Sequence, residues 1–142
     1  MQTLVRLQNV AHKLERNKIT KLGARVIELI IRLVYGCYLP AGAKIDPTVH
    51  FHHNGLAVVV NKLSVIGPNC QIGPQVVLGG RSPIVGAPKL EADVVIHSGA
   101  KLIGPITLAQ GCIVGANAVV ISDVPAFSTA VGVPAKIIQK LT

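Results

Sequence analysis

Aromatic residues are nearly absent from this chain of 142 residues, with two Tyr, two Phe and no Trp. That scarcity disfavours a ring-packed core and any nucleic-acid platform that stacks bases on aromatic side chains. Charge is also thin, at 14% against roughly 25% for an average soluble domain. Acid is the scarcer sign: six Asp and Glu face 14 Lys and Arg, a formal net charge of +8. The three cysteines, Cys37, Cys70 and Cys112, are odd in number and lack metal-ligand spacing, which suits buried thiols in a reducing compartment. What is abundant is aliphatic. Half of the chain is hydrophobic, and so much Val, Ile and Leu excludes disorder.

A mean hydropathy of +0.55 makes a membrane span the competitor to test. The run from Leu102 to Ser122 carries no charge and is long enough to cross a bilayer. It is punctuated by Gly104, Pro105, Gln110, Gly111, Gly115 and Asn117, a poor pattern for a lipid-facing helix. Between Ile19 and Leu39, Lys21, Arg25, Glu28 and Arg32 interrupt the other candidate. There is no signal-peptide pattern, so the expected location is cytoplasmic.

The positive charge is uneven. Residues 1–36 hold seven Lys or Arg against Glu15 and Glu28, a balance of +5. Lys21, Arg25, Glu28 and Arg32 recur at helical spacing, with Val26, Ile27, Ile30, Leu33 and Val34 opposite. An amphipathic helix is therefore expected in 1–36, ahead of a second region over 37–142. It would pack on its own or a neighbouring subunit, with peripheral contact at an inner-membrane surface as the alternative. No nucleic-acid-binding motif is present.

The aliphatic residues are periodic. Steps of six from Val60 meet Val60, Ile66, Ile72, Leu78, Ile84, Leu90, Ile96, Leu102, Leu108, Val114 and Val120, and Ile45 and Phe51 extend the series upstream. Four places after each comes a mostly small residue, among them Ser64, Cys70, Ser82, Ala100, Cys112 and Ala118. A period of six predicts a parallel β-helix in which three short sides make a coil of eighteen residues. The series shows one break. Phe51 and Val60 are nine apart, so about three residues should leave the wall around His52, His53, Asn54 and Gly55.

Three of the five histidines, His50, His52 and His53, gather at that break. His53, next to an irregular turn on a rigid scaffold, is a candidate general base; a solvated loop histidine is the plain alternative. A zinc site from His50, His52 and His97 is a further one. Lys62, Gly80, Ser98 and Ala116 are spaced by eighteen and are expected to stack on one edge. Three of these four are small, which would expose backbone amides to an extended ligand such as a pantetheine arm. Lys136 and Lys140 are placed to meet phosphates as point charges.

Ordered motifs then point to a family. They are P-A-G-A-K-I (40–45), F-H-H-N-G-L-A-V-V-V-N (51–61), V-I-G-P-N-C-Q-I-G (65–73), V-V-L-G-G (76–80), P-K-L (88–90), I-H-S-G-A-K-L-I-G-P-I (96–106) and V-G-V-P-A-K-I-I (131–138). The stretch from Pro40 to Ile138 resembles the hexapeptide-repeat acyltransferases, in the serine acetyltransferase-like branch. Within it the His52–Lys62 run looks closest to polysaccharide O-acetyltransferases of the colanic-acid type.

The resemblance implies an all-β, left-handed parallel β-helix of hexapeptide repeats with an N-terminal α-helical segment. It also implies a homotrimer that uses acetyl-CoA and no metal, with sites between subunits. By motif position His53 is the catalytic base, and Gly80, Ser98, Ala116 and Lys136 bind the coenzyme. His52, Asn54 and Tyr38 are placed at the substrate. His52 stands where serine acetyltransferases carry an Asp that holds the substrate amino group, Ala87 where they carry a second histidine, and Tyr38 where an acidic residue orients the base. The expected acceptor is therefore a sugar or saccharide hydroxyl. Serine, or a β-helix that only binds or scaffolds, are the alternatives.

Overall fold

The computed structural model describes residues 1–139. Two helices precede the coils, α1 (Thr3–Glu15) and α2 (Lys21–Tyr35), and they pack against each other. Helix α1 buries Leu4, Val5, Gln8 and Ala11, one face at helical spacing. The Gln8 amide, fully buried, donates to the carbonyls of Pro40 (3.2 Å) and Ala43 (2.9 Å) and so ties α1 to the first coil.

Helix α2 differs from expectation. It buries Ala24 and Ile31, with Ile27 half-buried, while Val26 (50%), Ile30 (42%), Leu33 (75%) and Val34 (70%) remain exposed. Close approach selects the small side chain: Ala24 meets Ala11 and Ala41, and the Ala41 N–H donates to the Glu28 carboxylate at 2.5 Å. The bulkier aliphatic stripe faces outward. No helix among the described residues is long and apolar enough to cross a membrane.

Strands then follow in short steps: β1 (Lys44–Ile45), β2 (His50–Phe51), β3 (Val59–Val60), β4 (Val65–Ile66), β5 (Gln71–Ile72), β6 (Val77–Gly79) and β7 (Lys89–Leu90). They continue as β8 (Val95–Ile96), β9 (Lys101–Ile103), β10 (Thr107–Leu108), β11 (Ile113–Val114), β12 (Val119–Val120), β13 (Ser128–Val131) and β14 (Lys136–Gln139). Every third strand pairs in parallel, giving faces ordered β1-β4-β7-β10, β2-β5-β8-β11-β13-β14 and β3-β6-β9-β12. Among the named strands of the described residues, the last pair, β13 with β14, is antiparallel and the others are parallel. This is the three-sided parallel β-helix that the period of six predicts.

In β1 through β12 the second residue of each strand points inward and is buried, from Ile45 and Phe51 to Val114 and Val120. The small residues at the corners, such as Cys70, Ala100, Cys112 and Ala118, are fully buried beside them. One continuous core results, and Leu4, Val5 and Ile31 of the helices join it. Coils lie so close that a Cβ on Gly73 would sit 2.7 Å from the Ser98 nitrogen, which explains a glycine directly after the inward residue.

Two expectations need correction. The wall departs from eighteen residues three times, not once: the last coil is two residues short, with Val114 pairing with Ala130 sixteen residues on, and a second insert lies upstream. Val59 pairs with Val77 eighteen residues on, but Val77 pairs with Lys101, twenty-four on. The extra six residues leave the wall between β6 and β7. Ile84 therefore belongs to a surface loop and is 53% exposed, and Ser82 is exposed with it. An insert as long as one repeat keeps the six-residue count in step and is invisible to it.

The second correction follows from the first. Lys62, Gly80, Ser98 and Ala116 do not share an edge. Register carries the corner after β3 from Lys62 to Gly80 and then to Gly104, while Ser98 and Ala116 follow β8 and β11 on a different corner.

Candidate functional site

The three-residue insert after β2 forms a tight kinked turn, His52–Gly55. His53 (φ 52°, ψ 36°) and Asn54 (φ 54°, ψ 32°) both adopt the left-handed conformation, followed by Gly55 at φ 72°. Two consecutive non-glycine residues in that region are costly, and such strain persists only where the surroundings hold it. Several contacts do so here. The Val58 N–H donates to the Gly55 carbonyl (2.9 Å), the Ala57 N–H to Gly36 (2.9 Å) and the Gln75 N–H to Leu56 (2.9 Å). A Cβ on Gly55 would stand 3.1 Å from Leu4 of α1, so the helix floors the turn.

The turn lifts His52 and His53 into solvent at the corner after β2. There they line a pocket of 310 Å³ with Gln71, Gly73, Pro74, His97 and Ser98. The His52 ring lies 3.2 Å (Nε2) from the Gln71 Oε1 and packs edge-on against His50, with centroids 4.8 Å apart. Among the described residues the His53 ring has no hydrogen-bond partner, and neither a carboxylate nor a lysine or arginine lines the pocket. An imidazole held this way has its ring nitrogens free for a ligand proton.

Register explains who meets whom. Phe51 pairs with Ile72, Ile72 with Ile96, and Ile96 with Val114. One step further places His52 in line with Gly73, His97 and Gly115, and the next places His53 in line with Pro74, Ser98 and Ala116. Ser98 thus lines the same pocket as His53, with Pro74 on the coil between them, and exposed Ala116 follows on the next coil. His97 is a pocket residue that the spacing did not single out for this role. Its alignment with His52 emerges only when both inserts are counted.

Lys136 opens β14, opposite Val131 of β13, on this same face. Five strand spacings separate β2 from β14, roughly 24 Å along the face. Lys140 lies outside the described residues.

Other expected site residues fall elsewhere. Tyr38 is a rung beside β3, with its N–H donating to the Val58 carbonyl (2.8 Å) and its carbonyl accepting from Val60 (2.9 Å). Tyr38 lines a pocket with Lys62 and Arg81 and another with Arg32 and Cys37, not the one around His53 in the same chain. Gly80 lines the pocket with Lys62 and Arg81 too, so the insert separates it from Ser98 and Ala116. Asn54 is exposed on the strained turn and lines none of them.

Burial pushes the Cys37, Cys70 and Cys112 thiols up to about 11, and Cys70 donates to the Glu91 carbonyl at 3.0 Å. They are core residues without nucleophilic character at neutral pH. His50, His52 and His97 do not form a metal-holding group; none of three or more His, Cys, Asp or Glu occurs among the described residues.

No protein-family model matches the chain. A serine acetyltransferase of Bacillus licheniformis is 37% identical over 131 residues, 91% of this chain and 60% of that protein. One of Staphylococcus epidermidis is 35% identical over 133 residues, covering 92% and 62%. Among solved structures, soybean serine acetyltransferase complexed with serine superposes with a TM-score of 0.89 at 35% identity, over 95% of this chain and 56% of that one. A serine acetyltransferase in complex with CoA gives 0.86 at 32% identity, over 95% and 55%. The chain thus spans about three fifths of the length of the relatives it matches. The similarity to polysaccharide O-acetyltransferases expected from the His52–Lys62 run is not what these comparisons favour. Over nine tenths of its length this chain is similar to serine acetyltransferases, and it shares their β-helix fold.

Proposed function

We propose that the protein is an acetyl-CoA-dependent O-acetyltransferase, acting as a homotrimer, with His53 as general base. The observation that carries this is one face of the β-helix. It presents a free imidazole at one end, the small residues Ser98 and Ala116 in line with it, and a lysine at the other. An extended thioester with an amide-bearing arm and phosphates at its far end suits that layout. The N–H groups of Ser98 and Ala116 donate to no backbone carbonyl among the described residues, which leaves them open to the arm, and Lys136 supplies positive charge for the phosphates.

His53 takes the proton of the acceptor hydroxyl as its oxygen attacks the thioester carbonyl. The same proton returns to the departing sulfur, so imidazole is regenerated, acetyl moves to oxygen and the thiol of CoA is released. His52 and Asn54 flank the base on the turn and bound the acceptor side. The coenzyme supplies the activated acetyl group.

Serine is the acceptor that the relatives and structural neighbours support. A neutral sugar hydroxyl is the second reading, and one observation favours it. His52 stands on the pocket wall where serine acetyltransferases carry an Asp for the substrate amino group, and it brings no carboxylate there. Thiol release from acetyl-CoA, measured with serine and with a panel of sugars, separates the two. Turnover with serine alone removes the sugar reading, and turnover with sugars alone removes serine. No release with any acceptor, together with no CoA binding, removes the enzyme.

A further inference from the structure

Helix α2 carries a face that nothing in the fold covers. Leu22 and Leu29, 72% and 54% exposed, stand in line with Val26 and Leu33 at helical spacing. Ile30 and Val34 widen this stripe on one flank. Ala24 and Ile31, on the opposite side of the helix, are fully buried, so the stripe points away from the coils. A contiguous row of large aliphatic side chains in solvent marks an interaction surface.

The charges beside the stripe have one sign. Arg25 and Arg32, two turns apart, run along the flank opposite Ile30 and Val34, and Lys21 begins their row. Both arginines are exposed, and neither has an ion pair or a side-chain hydrogen bond among the described residues. The two acids of residues 1–36 are engaged elsewhere: Glu15 lies 3.5 Å from Lys21, and Glu28 accepts the Ala41 N–H. Arg16 and Lys18, exposed ahead of α2, add two further cations.

An apolar stripe edged by unpaired cations suits a helix lying in the head-group region of a bilayer. Its aliphatic side chains enter the acyl boundary, and its cations meet anionic lipid. The 15 residues of α2 extend about 22 Å, and no described helix is long and apolar enough to cross a membrane, so α2 would lie flat. A second copy of the chain fits less well. Laid antiparallel on the stripe, it would set the arginines of both helices side by side, with no carboxylate on the face to answer them. The face is also formed in advance. Helix α2 packs on α1, Ile31 reaches the core of the β-helix, and Gly36 (φ 62°) closes the helix end, so docking does not have to fold the helix first.

We propose that the outer face of α2 docks the protein on an anionic lipid surface. The docking stands apart from the chemistry at His53. Co-sedimentation of the full chain is measured with vesicles of phosphatidylcholine alone and of phosphatidylcholine and phosphatidylglycerol in equal parts. Binding at least tenfold tighter to the anionic vesicles is expected, weakening as salt is raised. Leu29→Ser with Leu33→Ser should weaken it tenfold or more, and so should Arg25→Gln with Arg32→Gln. Arg25→Lys with Arg32→Lys keeps the charge and should bind like wild type. All four side chains are exposed, and circular dichroism with thermal melting confirms that each variant remains folded. Absence of binding to the anionic vesicles overturns the proposal, as does binding unchanged in both weakened variants or equal for the two vesicle types. Sedimentation velocity without lipid reads the other occupant. An assembly that Leu29→Ser with Leu33→Ser dissolves, in a protein that ignores vesicles, assigns the stripe to a second copy instead.

Discussion

The side-chain amide of Gln2 and the main chain of Phe51 close a two-bond ring: Gln2 donates to the Phe51 carbonyl and accepts from its N–H, each at 2.9 Å. The side chain thus takes the place of a further strand on the open edge of β2. Phe51 is the last residue before the turn that carries His52 and His53, so the start of α1 fixes the base from outside the coils.

Removing that ring should loosen the turn before it unfolds the protein. Gln2→Ala is expected to cost about 1–2 kcal/mol, the range for stranding partly buried main-chain groups. Hydrogen exchange should accelerate at Phe51–Leu56 and leave the β8 and β11 amides protected. If exchange rises uniformly, Gln2 serves global stability alone.

Replacing His53 should separate stability from chemistry. His53→Gly relieves a left-handed conformation and is expected to stabilise the fold by about 0.5–1 kcal/mol. It should lower kcat by about 10²–10⁴, the usual contribution of a positioned base. Asn54→Gly should bring the same stabilisation, raising KM for the acceptor while kcat stays within a few-fold. Thermal melts and the thiol-release rate measure both effects.

At Gly73 the wall has no slack. Gly73→Ala forces a methyl to within 2.7 Å of the Ser98 nitrogen, against backbone that cannot swing away. A loss of several kcal/mol is expected, with a lower urea midpoint. Substitution at Gly80, whose nearest neighbour is the Asn61 side chain, should be much milder.

The thiols set an alkaline limit. Burial raises Cys37, Cys70 and Cys112 from 9.0 to about 11, so the folded chain holds protons that the unfolded chain releases. Their contribution is complete below pH 9 and is lost as pH rises towards 11. Denaturant midpoints should therefore fall across that window, and less steeply in a Cys70→Ala, Cys112→Ala variant. In native protein at pH 8 all three should resist thiol reagents and react on unfolding.

Deleting Ser82–Ala87 removes six residues from the second insert and should leave the β-helix intact. The melt should shift by only a few degrees.

The coil architecture was legible because its cause is local. Each inward aliphatic residue and each small corner residue answers to its own packing, and Ile66, Ile72, Ile96 and Leu102 announce the same rule. The first insert was visible because three residues throw the count out of phase. The second was hidden, since Ile84 is aliphatic and falls in step by coincidence. That one loop accounts for the misplacement of Gly80 relative to Ser98. Tyr38 was placed by motif position rather than by register, and within one chain it lies on a different corner from His53. In α2 the pattern marked an apolar stripe correctly but not its direction, because three alanines decide which side approaches the coils.

The coils ask only that the chain return to the corner from which it left. Nothing in the wall measures how long the excursion is: three residues depart at one corner and six at another, and the inward residues on either side remain in register. Such a scaffold can gain, lose or resize a surface loop without renegotiating its interior. Its binding chemistry is then free to change in evolution at a rate that its core does not share.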